Sequence, residues 1–196
     1  MDSNSPNSKA WLQRRECLQV LSAAGISACF PGRSVAQRQP NDREPKRVAA
    51  IVTVYTPHSH ADVIVGKILA GWRQDDGPGP DLQLVSLYVD QFPHNDLSRR
   101  LADKYSVELY DTIEGALLRG SGTLAVDGVL SIGEQGDYPQ NEKLQQLYPR
   151  RRFFEQIAAT FEQHRTVVPV FNDKHLGPVW ADGLWIYQQA QQLQIP

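Results

Sequence analysis

The segment VFNDKHL at residues 170–176 places four residues capable of chemistry directly after an apolar run. Asn172, Asp173, Lys174 and His175 can hydrogen-bond, carry charge or ligate a metal, whereas the residues before them are mostly aliphatic or aromatic. A lysine in a partly desolvated cleft loses its proton more easily and can then polarise or deprotonate a hydroxyl. The pattern predicts Lys174 as a catalytic residue, with Asp173 and His175 beside it. The alternative is a solvated Lys174 that pairs with Asp173.

Polar residues follow other apolar runs of the chain in the same way. TPHSHAD at 56–62 follows the first run, Asp90 ends the second, and EQGDYPQNEK at 134–143 follows the fourth. Four of the five histidines fall in loops of this kind: His58, His60, His94 and His175. Loops are polar in any protein, but the recurrence at several run ends favours one shared site.

The elements that must position these loops alternate between β-rich apolar runs and segments with helical periodicity. Strands are predicted at 48–55, 82–90, 107–111, 126–133 and 167–171, and helices at 60–72, 95–106, 112–120, 148–164 and 179–193, with Asn95 as a cap. This alternation predicts an α/β domain with a doubly wound, mostly parallel, Rossmann-like sheet. Such sheets bind ligands beyond the carboxyl ends of their strands.

The first two loops suggest a site for a dinucleotide, although the G-x-G-x-x-G fingerprint is absent. The helix start that follows the first strand offers backbone N–H groups, which we expect to be free, and hydroxyls from Thr56 and Ser59, which can hold an anion. His58 and His60 belong to the same loop. Asp90 ends the second strand, where an acidic residue binds a ribose diol and favours NAD over NADP. Its alternative role is to cap the next turn.

The string VDGVLSIGEQGDYPQNEK at 126–143, a long helix and VPVFNDKHL at 168–176 resemble the glucose-fructose oxidoreductase/inositol dehydrogenase (Gfo/Idh/MocA-like) family, in an exported branch. The resemblance covers the amino-terminal Rossmann domain of that family, residues 47–196 here. It implies NAD or NADP as cofactor, and hydride transfer with a small-molecule substrate that carries a sugar or polyol-like hydroxyl. The family's second domain has no counterpart in this sequence, so we expect a truncated copy.

The resemblance also implies individual roles. Asp173, Lys174 and His175 stand where the family has Glu-Lys-Pro, so Lys174 inherits a position near the nicotinamide and the substrate. Gly133 and Glu134 inherit the loop against the cofactor, and Asn141 in the same string is assigned to cofactor binding with them.

Two other functions compete with this interpretation. A metal-dependent hydrolase could draw nitrogen and oxygen ligands from the loops, but H-E-x-x-H and similar spacings are absent and we predict no metal site. A binding module without catalysis is suggested by three arginines, 150–152, in the first turn of a helix, where the macrodipole favours acids. They would bind an acidic partner, a phosphate or another subunit; the alternative is a solvated basic turn. The candidate metal ligands are His58, His60, Asp62, Glu134, Asp137, Asp173 and His175.

The amino terminus predicts export. RRECLQ at 14–19 resembles the twin-arginine signal, and the apolar stretch at 17–30 is shorter than the roughly 20 residues that span a bilayer. Small residues before position 37 suit a cleavage site. We predict a signal segment at 1–36, a linker at 37–46 and a periplasmic location. The alternatives are a lipid anchor on Cys29 within ISAC, or an ordinary amphipathic helix.

The composition of the chain limits the kinds of partner that it can bind. The chain has 196 residues, a net charge of -2 and 21% charged residues, which gives no case for a general nucleic-acid binder. Its two cysteines, Cys17 and Cys29, both lie in the predicted signal. A chain cleaved after residue 36 would therefore have no disulfide, thiolate metal site or cysteine nucleophile. We predict no transmembrane span. The sequence does not decide whether the protein forms a homo-oligomer.

Overall fold

The computed structural model describes residues 44–196. The predicted signal segment at 1–36, most of the linker at 37–46 and the candidate lipidation site Cys29 lie outside the described residues. Within the described part, no helix combines the length and the apolar character needed to cross a bilayer.

Five parallel strands form one sheet in the order β3-β2-β1-β4-β5. The direction of winding reverses between β1 and β4, which makes the gap between them the topological switch point. This confirms the predicted Rossmann-like sheet. The strands are β1 (Lys46–Val52), β2 (Leu82–Val89), β3 (Glu108–Tyr110), β4 (Gly128–Ile132) and β5 (Val170–Asn172).

Five helices connect and cover the strands. Ser59 and Thr112 cap the first and third helices through their side-chain oxygens, as such residues do at helix starts. The prediction of Asn95 as a cap is wrong, because the second helix starts after Leu97 without a side-chain cap bond. The helices are α1 (His60–Ala70), α2 (Ser98–Tyr105), α3 (Ile113–Leu118), α4 (Arg150–His164) and α5 (Trp180–Gln192).

Strand β1 lies at the centre of the sheet and is covered on both faces. Val48, Ala50 and Val52 pack into a core with α1 and α2, whereas Ala49 and Ile51 pack into a second core with α3 and α4. A strand buried on both sides has no polar alternation, which is why its sequence is a continuous apolar run. Its carboxyl end opens on the edge of the sheet that carries the polar loops.

The last strand is shorter than the sequence predicts. Pairing with β4 begins at Val170, opposite Val129, rather than at 167. Pro169 has no N–H to donate, and its carbonyl accepts the Val129 N–H at 2.9 Å. Helix α5 then packs on α4 through Phe154 and Ile186, outside the sheet.

Candidate functional site

A cleft of about 450 Å³ opens where β1, β2 and β4 end, and we call it the switch-point cleft. Its volume lies in the range of small-molecule sites, and its place at the reversal of strand order is where open α/β sheets bind ligands. Three loops line it: Val54 and Thr56 after β1; Gln91, Phe92, Pro93 and Asn95 after β2; Gln135, Gly136 and Asp137 after β4.

The loops after β2 and β4 are joined across the cleft. Gln91 donates to the Asp137 carbonyl at 2.8 Å and accepts from the Asp137 N–H at 2.9 Å. Gly136 between them has φ +105°, and a Cβ there would lie 2.7 Å from a ring carbon of Tyr138. Only glycine fits this position, so the wall of the cleft is built by a residue that the sequence analysis passed over.

Backbone N–H groups at the start of α1 are hydrogen-bonded by side chains of the same segment. Ser59, only 1% exposed, accepts from the N–H groups of Thr56 and Asp62, each at 3.2 Å. The Asp62 carboxylate accepts the N–H of His58 at 2.8 Å. The prediction that these N–H groups are free is therefore wrong. A helix start must satisfy its orphan donors, and a carboxylate there suits the macrodipole.

His60 links the start of α1 to the ends of β4 and β5. Its N–H donates to the side-chain oxygen of Gln135 at 2.9 Å, and its Nδ1 lies 2.6 Å from Oδ2 of Asp173. Asp173 is 8% exposed and donates its N–H to the Ser131 carbonyl. Two residues predicted in different roles, His60 for the cofactor and Asp173 for catalysis, are thus one hydrogen-bonded pair.

Lys174 does not pair with Asp173. Its Nζ lies 3.7 Å from Oε1 of Glu134, and its side chain is 46% exposed. The expected desolvation of this lysine is wrong, because a half-exposed ammonium keeps much of its water. Its predicted catalytic role stays a prediction, as does that of His175, which lines a second cleft of about 400 Å³ beside Glu134 and Arg150.

Glu134 forms its strongest contact with Arg150. Nη2 of the arginine bonds Oε2 of Glu134, and the arginine side chain is only 2% exposed. Gly133 makes room for it, since a Cβ at 133 would lie 2.7 Å from Cγ of Arg150. The structure thus places Gly133 and Glu134 around a buried ion pair, and their predicted cofactor contacts stay a prediction.

Asp90 is surrounded by three donors. The hydroxyls of Tyr88 and Tyr138 bond its two oxygens at 2.6 and 2.7 Å, and Nη2 of Arg152 lies 2.6 Å from Oδ2. Partial burial raises the pKa of Asp90, but the hydrogen bonds from Arg152, Tyr88 and Tyr138 outweigh it and hold that pKa below its ordinary value. A ribose diol would have to compete with these donors for the carboxylate.

The three arginines at the start of α4 each have a carboxylate partner within the chain. Arg150 bonds Glu134, Arg152 bonds Asp90, and Arg151 bonds both Glu155 and Asp182. The run of arginines in the sequence therefore indicated residues that belong to this edge of the sheet. Their partners are carboxylates of the same chain, not the acidic partner that the sequence suggested. Nothing in the sequence marked Tyr138, Gln91 and Gln135 as site residues except that they lie in polar loops.

Two further features complete this edge of the sheet. A pocket of about 340 Å³ beyond β2 and β3 is lined by Asp90 and the aromatic rings of Tyr88, Phe92 and Tyr110, with Arg99 4.1 Å from the Phe92 ring. Asn141, by contrast, is engaged within its own turn, where its Oδ1 accepts the N–H groups of residues 143 and 145. Its assignment to cofactor binding stays a prediction.

The candidate metal ligands are not gathered into one centre. The backbone N–H of His58 bonds Asp62, whereas the ring of His60 bonds Asp173. Residues 44–196 contain no cluster of three or more His, Cys, Asp or Glu side chains that could hold a metal ion. This geometry gives the metal-dependent hydrolase no support.

No family model matches the chain, and no curated protein matches it. Among solved structures, the biliverdin reductase of Synechocystis sp. PCC 6803, in complex with biliverdin and NADP⁺, is 18% identical, with a TM-score of 0.46 over 77% of this chain and 36% of that one. A dehydrogenase from Clostridium difficile is 12% identical, with a TM-score of 0.47 over 76% and 37%. A UDP-N-acetylglucosamine 3-dehydrogenase from Acidithiobacillus ferrooxidans is 12% identical, with a TM-score of 0.46 over 76% and 36%.

These neighbours are named as reductases or dehydrogenases. The chain spans about a third of the length of the solved structures it matches.

Proposed function

We propose that residues 47–196 form a domain that binds NAD or NADP in the switch-point cleft, as part of an oxidoreductase. Its substrate would be a small molecule with a sugar or polyol-like hydroxyl. The observation that carries this proposal is the cleft itself, which is formed by three loops at the point where a five-stranded parallel sheet reverses its strand order.

The residues fit a dinucleotide in two places. The switch-point cleft is preformed by the bonds between Gln91 and Asp137 and by the bare backbone at Gly136. The pocket beside it is mainly polar but contains the ring of Phe92, which is 44% exposed and has the Arg99 guanidinium 4.1 Å from its centroid; an adenine ring could stack on this guanidinium or on a free ring face. Together they provide adjoining space for the two ends of an elongated ligand.

The start of α1 fits less well, because its donors are already used. Of the acceptors there, Gln135 is the one that comes from another loop and carries no charge. A pyrophosphate could displace its side chain from the N–H of His60, whereas Asp62 repels an anion. Binding in this cleft would therefore depend on Gln135 moving aside.

The chemistry of hydride transfer belongs to the cofactor, which would donate or accept the hydride. The chain's own contribution would be to orient the substrate hydroxyl and handle its proton. Lys174 would assist that proton, with His175 and Asp173 beside it at the end of β5. The support for this role is the place of Lys174 directly after β5, where its half-exposed ammonium, 3.7 Å from Oε1 of Glu134, is accessible to a ligand.

Ligand titration of the purified chain tests the proposal. We expect NADH or NADPH to change in fluorescence on binding, and NAD⁺ or NADP⁺ to raise the melting temperature. Asn95→Phe fills the switch-point cleft and should weaken binding by about tenfold or more. Gln83→Phe is the control, because that exposed residue lies at the amino-terminal end of β2, away from the cleft. A folded wild-type chain that responds to none of the four dinucleotides would overturn the assignment.

We further propose that residues 1–36 form a twin-arginine signal that delivers the domain to the periplasm, with lipidation of Cys29 as the alternative. Fractionation and intact-mass measurement after expression in a bacterial host separate the two. A soluble periplasmic chain that begins at Gln37 supports cleavage, and an acylated chain in the membrane fraction supports lipidation. If replacing Arg14 and Arg15 by lysine leaves export unchanged, the twin-arginine route is wrong.

A further inference from the structure

Helix α5 has apolar residues on two of its sides. The inner side packs on α4, where Ile186 is 2% exposed. On the outer side, Trp180, Leu184 and Tyr187 are exposed by 82%, 38% and 57%. Their spacing of four and three residues places them in one stripe along the helix. A helix that is apolar on both sides is typical of one that is buried in the assembled molecule.

A groove runs beside this stripe. It encloses about 460 Å³ and is lined by Leu176, Gly177, Val179 and Gly183 together with the stripe residues, a set that we call the α5 patch. The two glycines leave room that side chains would otherwise fill. The exposed apolar side chains offer on the order of 400 Å² in total, comparable with the largest patch on a typical monomer, which is often functional.

The α5 patch is almost free of charge. Residues 176–196 contain one charged side chain, Asp182, and its carboxylate bonds Arg151 at 2.6 Å. The exposed polar residues on this helix are glutamines. Aromatic residues without charges are characteristic of the centre of protein–protein interfaces. Charged residues make up 21% of the whole chain, so this segment differs from the rest of the surface.

A second copy of the chain matches this chemistry. Around a two-fold axis a surface meets itself, so any unpaired charge near the axis would face its own copy and repel it. The α5 patch avoids this repulsion. It also combines a projecting ring, Trp180, with a groove beside Gly183, so that each copy can offer both the knob and the hole.

We propose that two copies pair through the α5 patch, with their α5 helices antiparallel and with Trp180 of each copy in the groove of the other. The patch is smaller than the roughly 800 Å² that each partner contributes to a standard interface. The dimer is therefore weak, with a dissociation constant on the order of micromolar.

Sedimentation equilibrium of the full chain over a range of concentrations around micromolar measures the dimer directly. Trp180→Ser is expected to raise the dissociation constant by about tenfold or more, since a buried tryptophan is a typical hot spot. Trp72→Ser is the matched control, because Trp72 is 59% exposed and follows α1, which covers the opposite face of the sheet. Circular dichroism of both variants checks that the fold is intact.

Disulfide trapping then identifies the interface. In a chain carrying Cys17→Ser and Cys29→Ser, Leu184→Cys lies near the proposed axis and should form a covalent dimer under mild oxidation. Val63→Cys, at the 44% exposed position 63 of α1, should not. A monomeric wild-type chain overturns the proposal, whether the patch is bare or covered by other residues of its own chain. A dimer that is indifferent to Trp180→Ser, or equal trapping at both cysteines, overturns it as well.

Discussion

The two halves of the polar edge of the sheet are held in different ways. In the clamped half, Asp90 and Glu134 are each bonded by an arginine from the first turn of α4, and their side chains are 12% and 16% exposed. In the open half, Lys174 is 46% exposed and His175 is also exposed. The first arrangement fixes the loops that line the switch-point cleft, and the second leaves polar side chains able to meet a ligand. A binding site needs both features, because the accessible side chains can meet a ligand in a defined geometry only if the surrounding loops are rigid.

Breaking the clamp should have the largest effect. Arg150→Met leaves the Glu134 carboxylate without its buried partner, so we expect the free energy of unfolding to fall by about 3 to 5 kcal/mol. Urea denaturation measures the change. Arg151→Met is the control, because its ion pairs lie at the surface and should contribute little. Equal losses for the two variants would mean that Arg150 is no more important than an exposed arginine.

The next largest effect concerns the glycine that shapes the clamped half. Gly136→Ala forces a side chain into a left-handed backbone and against Tyr138, which together should cost about 2 to 4 kcal/mol. Gly120→Ala is the comparison, because Gly120 also has a positive φ, +70°, but no atom lies within 4 Å of the new Cβ. It should cost only about 1 to 2 kcal/mol. The difference between the two melting curves measures the extra cost at position 136, which comes from the contact with Tyr138 and from the wider φ, and identical curves would contradict this expectation.

The bonds to Asp90 predict a pH dependence. Because the pKa of Asp90 is lower in the folded protein than its ordinary value of 3.8, its ionised form stabilises the fold. This stabilisation is complete well above that value and is lost as the pH falls through the lower folded-state pKa. Tyr138→Phe removes one donor and should cost about 1 to 2 kcal/mol at neutral pH, with a smaller cost near about pH 3.

Urea denaturation at the two pH values checks this expectation. Tyr148→Phe serves as the control, because its ring packs on Tyr138 at 5.8 Å but its hydroxyl does not bond Asp90. A pH-independent cost for Tyr138→Phe would show that the phenol acts through packing alone.

The smallest effect on stability is expected in the open half. Lys174→Met removes an exposed ammonium 3.7 Å from Glu134, so the free energy of unfolding should change by less than about 0.5 kcal/mol. Glu134→Gln, in contrast, deprives the buried Arg150 of its counter-charge and should be clearly destabilising. If Lys174→Met destabilises the chain as much as Glu134→Gln, the two halves are not distinct.

Parts of the site could be predicted because they depend on local sequence. The end of a buried strand brings the residues after it to the same edge of a parallel sheet, and this is why His60, Asp173 and Glu134 lie close together. The partners within that edge could not be predicted in the same way. Lys174 lies 3.7 Å from Glu134 and does not pair with its neighbour Asp173. The backbone at Lys174 has φ +65°, and Asp173 is instead bonded to the ring of His60.

The sequence by itself determined the alternation of strands and helices, the parallel sheet and the edge at which the polar loops gather, because these follow from periodicity and from the handedness of β-α-β units. Only the tertiary structure decided which side chains meet. Arg152 and Arg150 in the first turn of α4 bond Asp90 and Glu134, which lie 62 and 16 residues away in the chain. The backbone N–H groups at the start of α1 donate to the side chains of Ser59, Asp62 and Gln135. Pairing over such separations depends on the distances that the packed fold imposes, and no local pattern of residues encodes them.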